Sequence, residues 1–231
     1  YVSGYGSHHE ERIYSDYDVL VGSAALFVRR SGSLGIPYSI DLTGSYTDVE
    51  LGEEPYSSTV DTSLAIDLQL ARWTVFAPKA SWCIKDFEND TIMPELYSRD
   101  GEDFAYGVDQ YLYLFGNRLT LGVGYEYREV EADGELFDIE SHNGRVVVYL
   151  SLPWKFRFGT TVSYSEEDYL DYTPEPKRVD DAWNVNSSIS RPLFCNWLTA
   201  EVSHTYESSE STVEFADYER NVMGISLRAT L

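Results

Sequence analysis

Counted back from the C-terminus, every second residue is apolar: Leu231, Ala229, Leu227, Ile225 and Met223. Between them stand Thr230, Arg228, Ser226, Gly224, Val222 and Arg220, and all but one are small, polar or charged. A period of two is the signature of a strand with one greasy and one wet face. A helix would mix the two sets around its circumference.

The same comb recurs along the whole chain. The alternation predicts up to twelve strands, over 1–8, 15–30, 37–48, 58–71, 73–86, 104–115, 117–130, 140–152, 154–166, 181–191, 196–207 and 216–231. In 118–128, Leu119, Leu121, Val123, Tyr125 and Tyr127 alternate with Arg118, Thr120, Gly122, Gly124, Glu126 and Arg128. In 154–164, Trp154, Phe156, Phe158, Val162 and Tyr164 alternate with Lys155, Arg157, Gly159, Thr161 and Ser163. No amphipathic helix, linker or conventional repeat interrupts the pattern. The longest loop is expected at 86–103.

The connections alternate in kind. One set is tight: 31–33, the Arg72-Trp73 junction, Gly116-Asn117, Pro153 and 191–196. The other is longer and acidic: 8–16, 48–54, 86–103, 129–140, 166–181 and 207–217. The acidic set holds most of the 39 Asp and Glu residues. Its basic residues are Arg12, Arg99, Lys177 and Arg178. Other basic residues, among them Arg72, Arg118, Lys155 and Arg191, sit beside the tight turns. A net charge of −22 argues against nucleic acid and anionic lipid surfaces as partners. No apolar run approaches the ~20 residues a membrane helix needs, a test to which barrels are blind.

A single antiparallel sheet of this size hides its edges by closing. Three features turn its greasy face toward lipid. Many combs run about ten residues or more, as tilted membrane strands require. Short and long connections alternate. Aromatic residues form two groups, Tyr38, Trp73, Trp154 and Trp197 near the tight turns and Tyr17, Tyr46, Trp82, Tyr125, Tyr127, Tyr164, Trp183 and Tyr206 near the long loops, as interfacial belts require. The expected fold is therefore all-β: a closed, antiparallel, up-and-down transmembrane β-barrel of about twelve strands. It forms one domain over 1–231, and the sequence leaves open a further N-terminal module.

The closing strand, Tyr218-Glu-Arg-Asn-Val-Met-Gly-Ile-Ser-Leu-Arg with an apolar residue last, resembles that of bacterial outer-membrane β-barrels. Leu231 departs from the aromatic residue usual at that end. Tyr14-Ser-Asp-Tyr-Asp together with Tyr218-Glu-Arg-Asn is similar to the barrel behind tetratricopeptide repeats in some export systems. The resemblance implies the bacterial outer membrane, a periplasmic C-terminus and long loops outside.

The wet comb supplies the candidate lumen-facing charges. The acidic ones are Asp41, Asp61, Asp67, Asp109, Glu126, Glu201 and Glu219. The basic ones are Lys79, Lys85, Arg118, Arg128, Arg145, Lys155, Arg157, Arg220 and Arg228. With many small residues beside them they suggest a water-filled lumen. The leading expectation is a channel or export conduit, not an enzyme, that needs no cofactor or metal. A non-conducting barrel docking a periplasmic or surface protein is a second reading. An outer-membrane enzyme working at the loop rim is a third. Expected partners are outer-membrane lipid, such a protein, and a small solute or polysaccharide.

Other candidates point less firmly to chemistry. Glu50, Glu53 and Glu54, or Asp100, Glu102 and Asp103, are dense enough in oxygen to collect Ca²⁺ or Mg²⁺, but an acidic rim exposed to water explains them equally. Adjacent His8 and His9 point to opposite faces of a strand. His142 beside Ser141 has no Ser/His/Asp spacing around it and reads as a polar loop residue. His204 falls on the lipid-side comb. Cys83 and Cys195, placed at opposite ends of the barrel, are expected to be free thiols.

Overall fold

The computed structural model describes residues 2–9, 19–51, 54–88, 98–172, 176–193 and 197–229. It is one antiparallel sheet in which every strand pairs with its neighbour in sequence. The strands are β1 (Val2–His9), β2 (Val19–Ser33), β3 (Pro37–Leu51), β4 (Glu54–Ala71), β5 (Thr74–Phe87), β6 (Gly101–Leu114), β7 (Leu119–Ala132), β8 (Ile139–Ser151), β9 (Arg157–Tyr169), β10 (Val179–Pro192), β11 (Leu198–Ser211) and β12 (Tyr218–Ala229). Side chains are described for β2 to β12. The sheet runs from β1 to β12 in order, and among the described residues no ladder joins the two ends. The expected closure is thus not present in the described sheet. The acidic stretch 10–18 and Cys195 lie outside the described residues, as do Thr230 and Leu231, and no side chain is described for His8 or His9.

Register sorts the side chains onto two faces. On the polar face Asp109 stands opposite Ala77 and Gly124, Arg145 opposite Gly124 and Ser163, and Asp180 opposite Glu167 and Ser211. On the other face Val123 stands opposite Val146, which stands opposite Val162 and then Val185. Burial is inverted relative to a water-soluble protein. Of the buried strand residues, Ala77, Cys83, Ala105, Asp109, Ser141, Val147, Tyr169, Asp180 and Ser209 lie on the polar face, and Thr74 at the start of β5 lies on the other. The apolar face is open: Val123 is 57% exposed, Ile225 85% and Met223 79%. In water this would be a large apolar patch with no cover. Against lipid it is the stable arrangement, because the backbone is satisfied within the sheet and the greasy comb meets hydrocarbon.

The strands run longer than the alternation predicted. Gly101, Glu102 and Asp103, expected in the longest loop, open β6. The comb extends backward through Asp103, Ala105, Gly107 and Asp109, so the period-two signal was present there. Likewise β3 ends at Leu51 and β4 starts at Glu54, so 48–51 and 54 are strand and not part of a long acidic loop.

The tight end turns by local chemistry. At the β6–β7 hairpin Phe115, Gly116 and Asn117 take φ of 52°, 66° and 66°, a left-handed path that glycine and asparagine tolerate best. At β8–β9, Pro153 opens a short 3-10 turn in which Trp154 and Lys155 are left-handed, with φ of 57° and 64°. The opposite end carries longer connections, with 3-10 turns at Glu135–Phe137 and Glu214–Ala216. Among the described residues no helix is long and apolar enough to cross a membrane.

Candidate functional site

The charges predicted on the wet comb fall largely on one face and cross-link it. Arg145 on β8 reaches past Gly124 on β7 to Asp109 on β6, with Nε 2.9 Å from Oδ1. Lys79 on β5 pairs with Glu126 on β7. Lys85 and Arg128 converge on Asp103, at 3.2 and 2.6 Å. Arg29 forks onto Asp41, with Nε–Oδ1 of 2.6 Å. Asp67 accepts from the Ser39 hydroxyl at 3.0 Å and Asp61 from Ser45 at 3.4 Å. Arg220 pairs with Glu207 at 2.6 Å.

Arg157, Glu201 and Arg228 share that face in register but form no ion pair among the described residues. Three expected residues are elsewhere. Arg118 and Lys155 lie in the tight turns, exposed, because the alternation continues through residues that are already turning. Glu219 pairs in register with Ser208 and so faces opposite Arg220. Asp103, Glu207 and Arg29 complete ion pairs, although Asp103 belongs to the expected loop 86–103 and the other two are not among the expected lumen charges.

Among the described residues the dense acidic runs form no cluster that could hold a metal ion. Glu102 accepts from the Trp82 indole at 2.9 Å on the apolar face. Asp100 accepts from the Phe87 N–H at 2.5 Å and from Ser98. Asp103 is held on the polar face by its arginine and lysine. Glu53 lies outside the described residues. Cys83 is free and buried. His204 faces the apolar side, where its Nε2 lies 3.2 Å from Asn221 Oδ1.

The arrangement that sequence reasoning missed surrounds His142. The residue is inside β8 and not in a loop. Alternation turns Ser141 onto the polar face, 4% exposed, and His142 onto the apolar face. No Ser–His pair can form between them. His142 stands in register between Tyr127 on β7 and Glu166 on β9. Its Nδ1 lies 2.6 Å from the Tyr125 hydroxyl oxygen. The imidazole is 5.3 Å, centroid to centroid, from the Tyr127 ring, which is 5.2 Å from Tyr106. Beside this cluster, on the same face, Trp82, Glu102, Phe104, Glu129 and Glu131 line a cleft of about 320 Å³. An imidazole, phenols and carboxylates thus share the rim of a face otherwise built for hydrocarbon. Such groups at a membrane face are costly unless they meet the headgroup region.

A second cavity, of about 510 Å³, opens on the polar face at the same end, over β8 to β12. At its edge Arg178, in the loop before β10, donates to Asp180 from Nε and Nη2, the latter at 2.5 Å. That hydrogen bond raises the guanidinium above its ordinary pKa. The Arg178 guanidinium also covers the Tyr169 ring at 4.0 Å.

No family model and no curated protein matches the chain. Solved structures do. A loop L8 deletion mutant of OmpT, an outer membrane protein of Vibrio cholerae, aligns with TM-score 0.53 and 10% identity over 99% of this chain and 98% of that one. In-vitro folded OmpT from the same organism aligns with TM-score 0.49 and 11% identity over 99% and 96%. LpxR from Salmonella typhimurium aligns with TM-score 0.42 and 10% identity over 90% and 88%.

The chain has the fold of bacterial outer-membrane β-barrel proteins. These structures do not show the likeness to tetratricopeptide-linked barrels. The expected channel, and with it the expected lack of enzymatic activity, are corrected. At 10% identity the matched structure shows the barrel fold alone, and it supports no channel. Within the chain, ion pairs hold Asp41, Lys79, Lys85, Asp109, Glu126, Arg128, Arg145 and Arg220, half of the charges assigned to a conduit wall.

Proposed function

We propose that the chain is an outer-membrane enzyme that hydrolyses an ester-bearing lipid at the long-loop rim, on the lipid-facing wall of a single-domain, closed, twelve-stranded barrel. The observation that carries this reading is the placement of His142: an imidazole on the hydrocarbon-facing side, held by the Tyr125 hydroxyl at 2.6 Å. The polar-face charges, Asp109 with Arg145 and Asp103 with Arg128 among them, brace the wall from inside.

The chemistry follows from the ring's two nitrogens. With Nδ1 carrying the proton and donating it to the Tyr125 oxygen, Nε2 keeps its lone pair and acts as general base. It takes a proton from a water molecule, whose oxygen forms a bond to the lipid's ester carbonyl carbon. The carbon–oxygen bond to the alcohol then breaks, and the imidazolium returns its proton to the departing alkoxide. A carboxylic acid and an alcohol are the products. No serine nucleophile is needed, which agrees with Ser141 facing the other way. The neighbouring cleft, with its tryptophan and phenylalanine, suits an acyl chain close to a polar head.

The test is release of fatty acid from vesicles of bacterial outer-membrane lipid carrying the refolded chain. Release is expected from the native chain and is expected to fall by about 10²-fold or more in H142N, the usual scale for removing a general base. Equal release from both would remove His142 from the reaction. No release from the folded native chain would overturn the enzymatic reading.

A further inference from the structure

The cavity on the polar face has no part in that reaction, since it lies on the other side of the sheet from His142. Asn143, Ser163, Ser165, Glu167, Asn184 and Ser209 are among its lining residues. Its volume of about 510 Å³ is within the usual range of small-molecule sites.

Two of its three carboxylates are already engaged. Asp180 takes a forked Arg178 and the Ser211 hydroxyl at 2.5 Å. Glu207 takes Arg220 at 2.6 Å and the Asn184 amide at 3.3 Å. Glu167 is different. Arg128 and Arg178 are near enough to act on its charge, but each is bound to another carboxylate, Asp103 and Asp180. Among the described residues Glu167 has neither an ion pair nor a hydrogen bond. Ser209 lines the same cavity at 7% exposure, and no described group hydrogen-bonds its hydroxyl. A buried hydroxyl without a hydrogen bond and a carboxylate whose two neighbouring guanidiniums are bound elsewhere are together an unfilled set of hydrogen-bonding positions.

We infer that this cavity binds an amino sugar, with Glu167 meeting its ammonium and Ser209, Asn184 and Asn143 meeting its hydroxyls. Hydroxyl and amide groups that both donate and accept match a ring of sugar hydroxyls, whereas an apolar ligand would leave them unsatisfied. A bare metal ion would have to displace arginines from Asp180 and Glu207. An acidic ligand would face three carboxylates.

Isothermal titration of the full chain, refolded in detergent, with the β-1,4-linked disaccharide of glucosamine tests this. At a pH where its amines are charged, saturable binding of one disaccharide per chain is expected. The N-acetylated disaccharide should bind about tenfold more weakly, and E167Q should weaken the glucosamine disaccharide by a similar factor. Absence of saturable binding to the native chain overturns the inference, as does undiminished affinity in E167Q. Should E167Q fail to show the heat-modifiable gel shift of a folded barrel, N184A decides: a several-fold loss supports the site and unchanged affinity overturns it.

Discussion

Arg145 on β8 holds Asp109 on β6 across an intervening strand, and it can do so because the residue between them is Gly124. The Nε–Oδ1 distance is 2.9 Å, and Asp109 is 5% exposed. A Cβ at position 124 would overlap Asp109 Oδ1 and come within 2.9 Å of Arg145 Nε. One small residue therefore lets an ion pair span three strands.

Removing one partner of that pair leaves a buried charge uncompensated. R145M is expected to lower stability by about 3–5 kcal/mol, and D109L/R145M to recover much of the loss. Urea denaturation of the chain folded into vesicles, with the double-mutant cycle completed, measures both.

Glycine to alanine should be costly only where the added carbon meets something. G124A is expected to destabilise by about 1–3 kcal/mol, since Asp109 or Arg145 must shift. Gly144, on the apolar face, would place its Cβ in open space. G144A is expected to stay within about 0.5 kcal/mol of the native chain. Paired denaturation curves test the contrast.

A charge on the hydrocarbon-facing comb should oppose insertion. Val123 and Val146 face each other in register on that side. V123R is expected to cost about 2–4 kcal/mol and to reduce the yield of folded chain in vesicles. T161R, on the polar face, should fold in nearly native yield. Heat-modifiable gel shifts give both yields.

Tyr125 should act through His142 and not on the substrate. Y125F removes the hydroxyl that fixes the imidazole, so its effect is expected mainly in kcat, with KM for the lipid little changed. H142N remains the more damaging change. Steady-state lipid hydrolysis separates the two constants.

Much of this was legible in the sequence because a period of two survives at every scale. The alternation through Leu119–Arg128 assigns the two faces of β7 without coordinates, and the aromatic residues at 125, 127, 164 and 183 mark one rim. Boundaries were harder to read. Asp103 continues the comb of β6, but the surrounding acidic residues resemble a loop. Arg118 and Lys155 continue an alternation that the backbone has already abandoned in left-handed turns. The His142 cluster was illegible for a different reason. Its partners Tyr125 and Glu166 are 17 and 24 residues away in sequence, and only strand register brings them alongside. Sequence places His142 on a face, whereas pairing supplies its chemistry.

The orientation of the sheet underlies both functional readings, and nitroxide accessibility tests it most directly. Single spin labels would be placed at 142, 161, 162 and 163, in a chain whose Cys83 and Cys195 are replaced by serine. The chain is then folded into vesicles and its collisions with lipid-soluble oxygen and with a water-soluble nickel chelate are compared. Position 162 is expected to favour oxygen, 161 and 163 to favour the chelate, and 142 to meet both, as a residue at the lipid rim must. Equal accessibility at 161, 162 and 163, or a preference reversed between them, would contradict it.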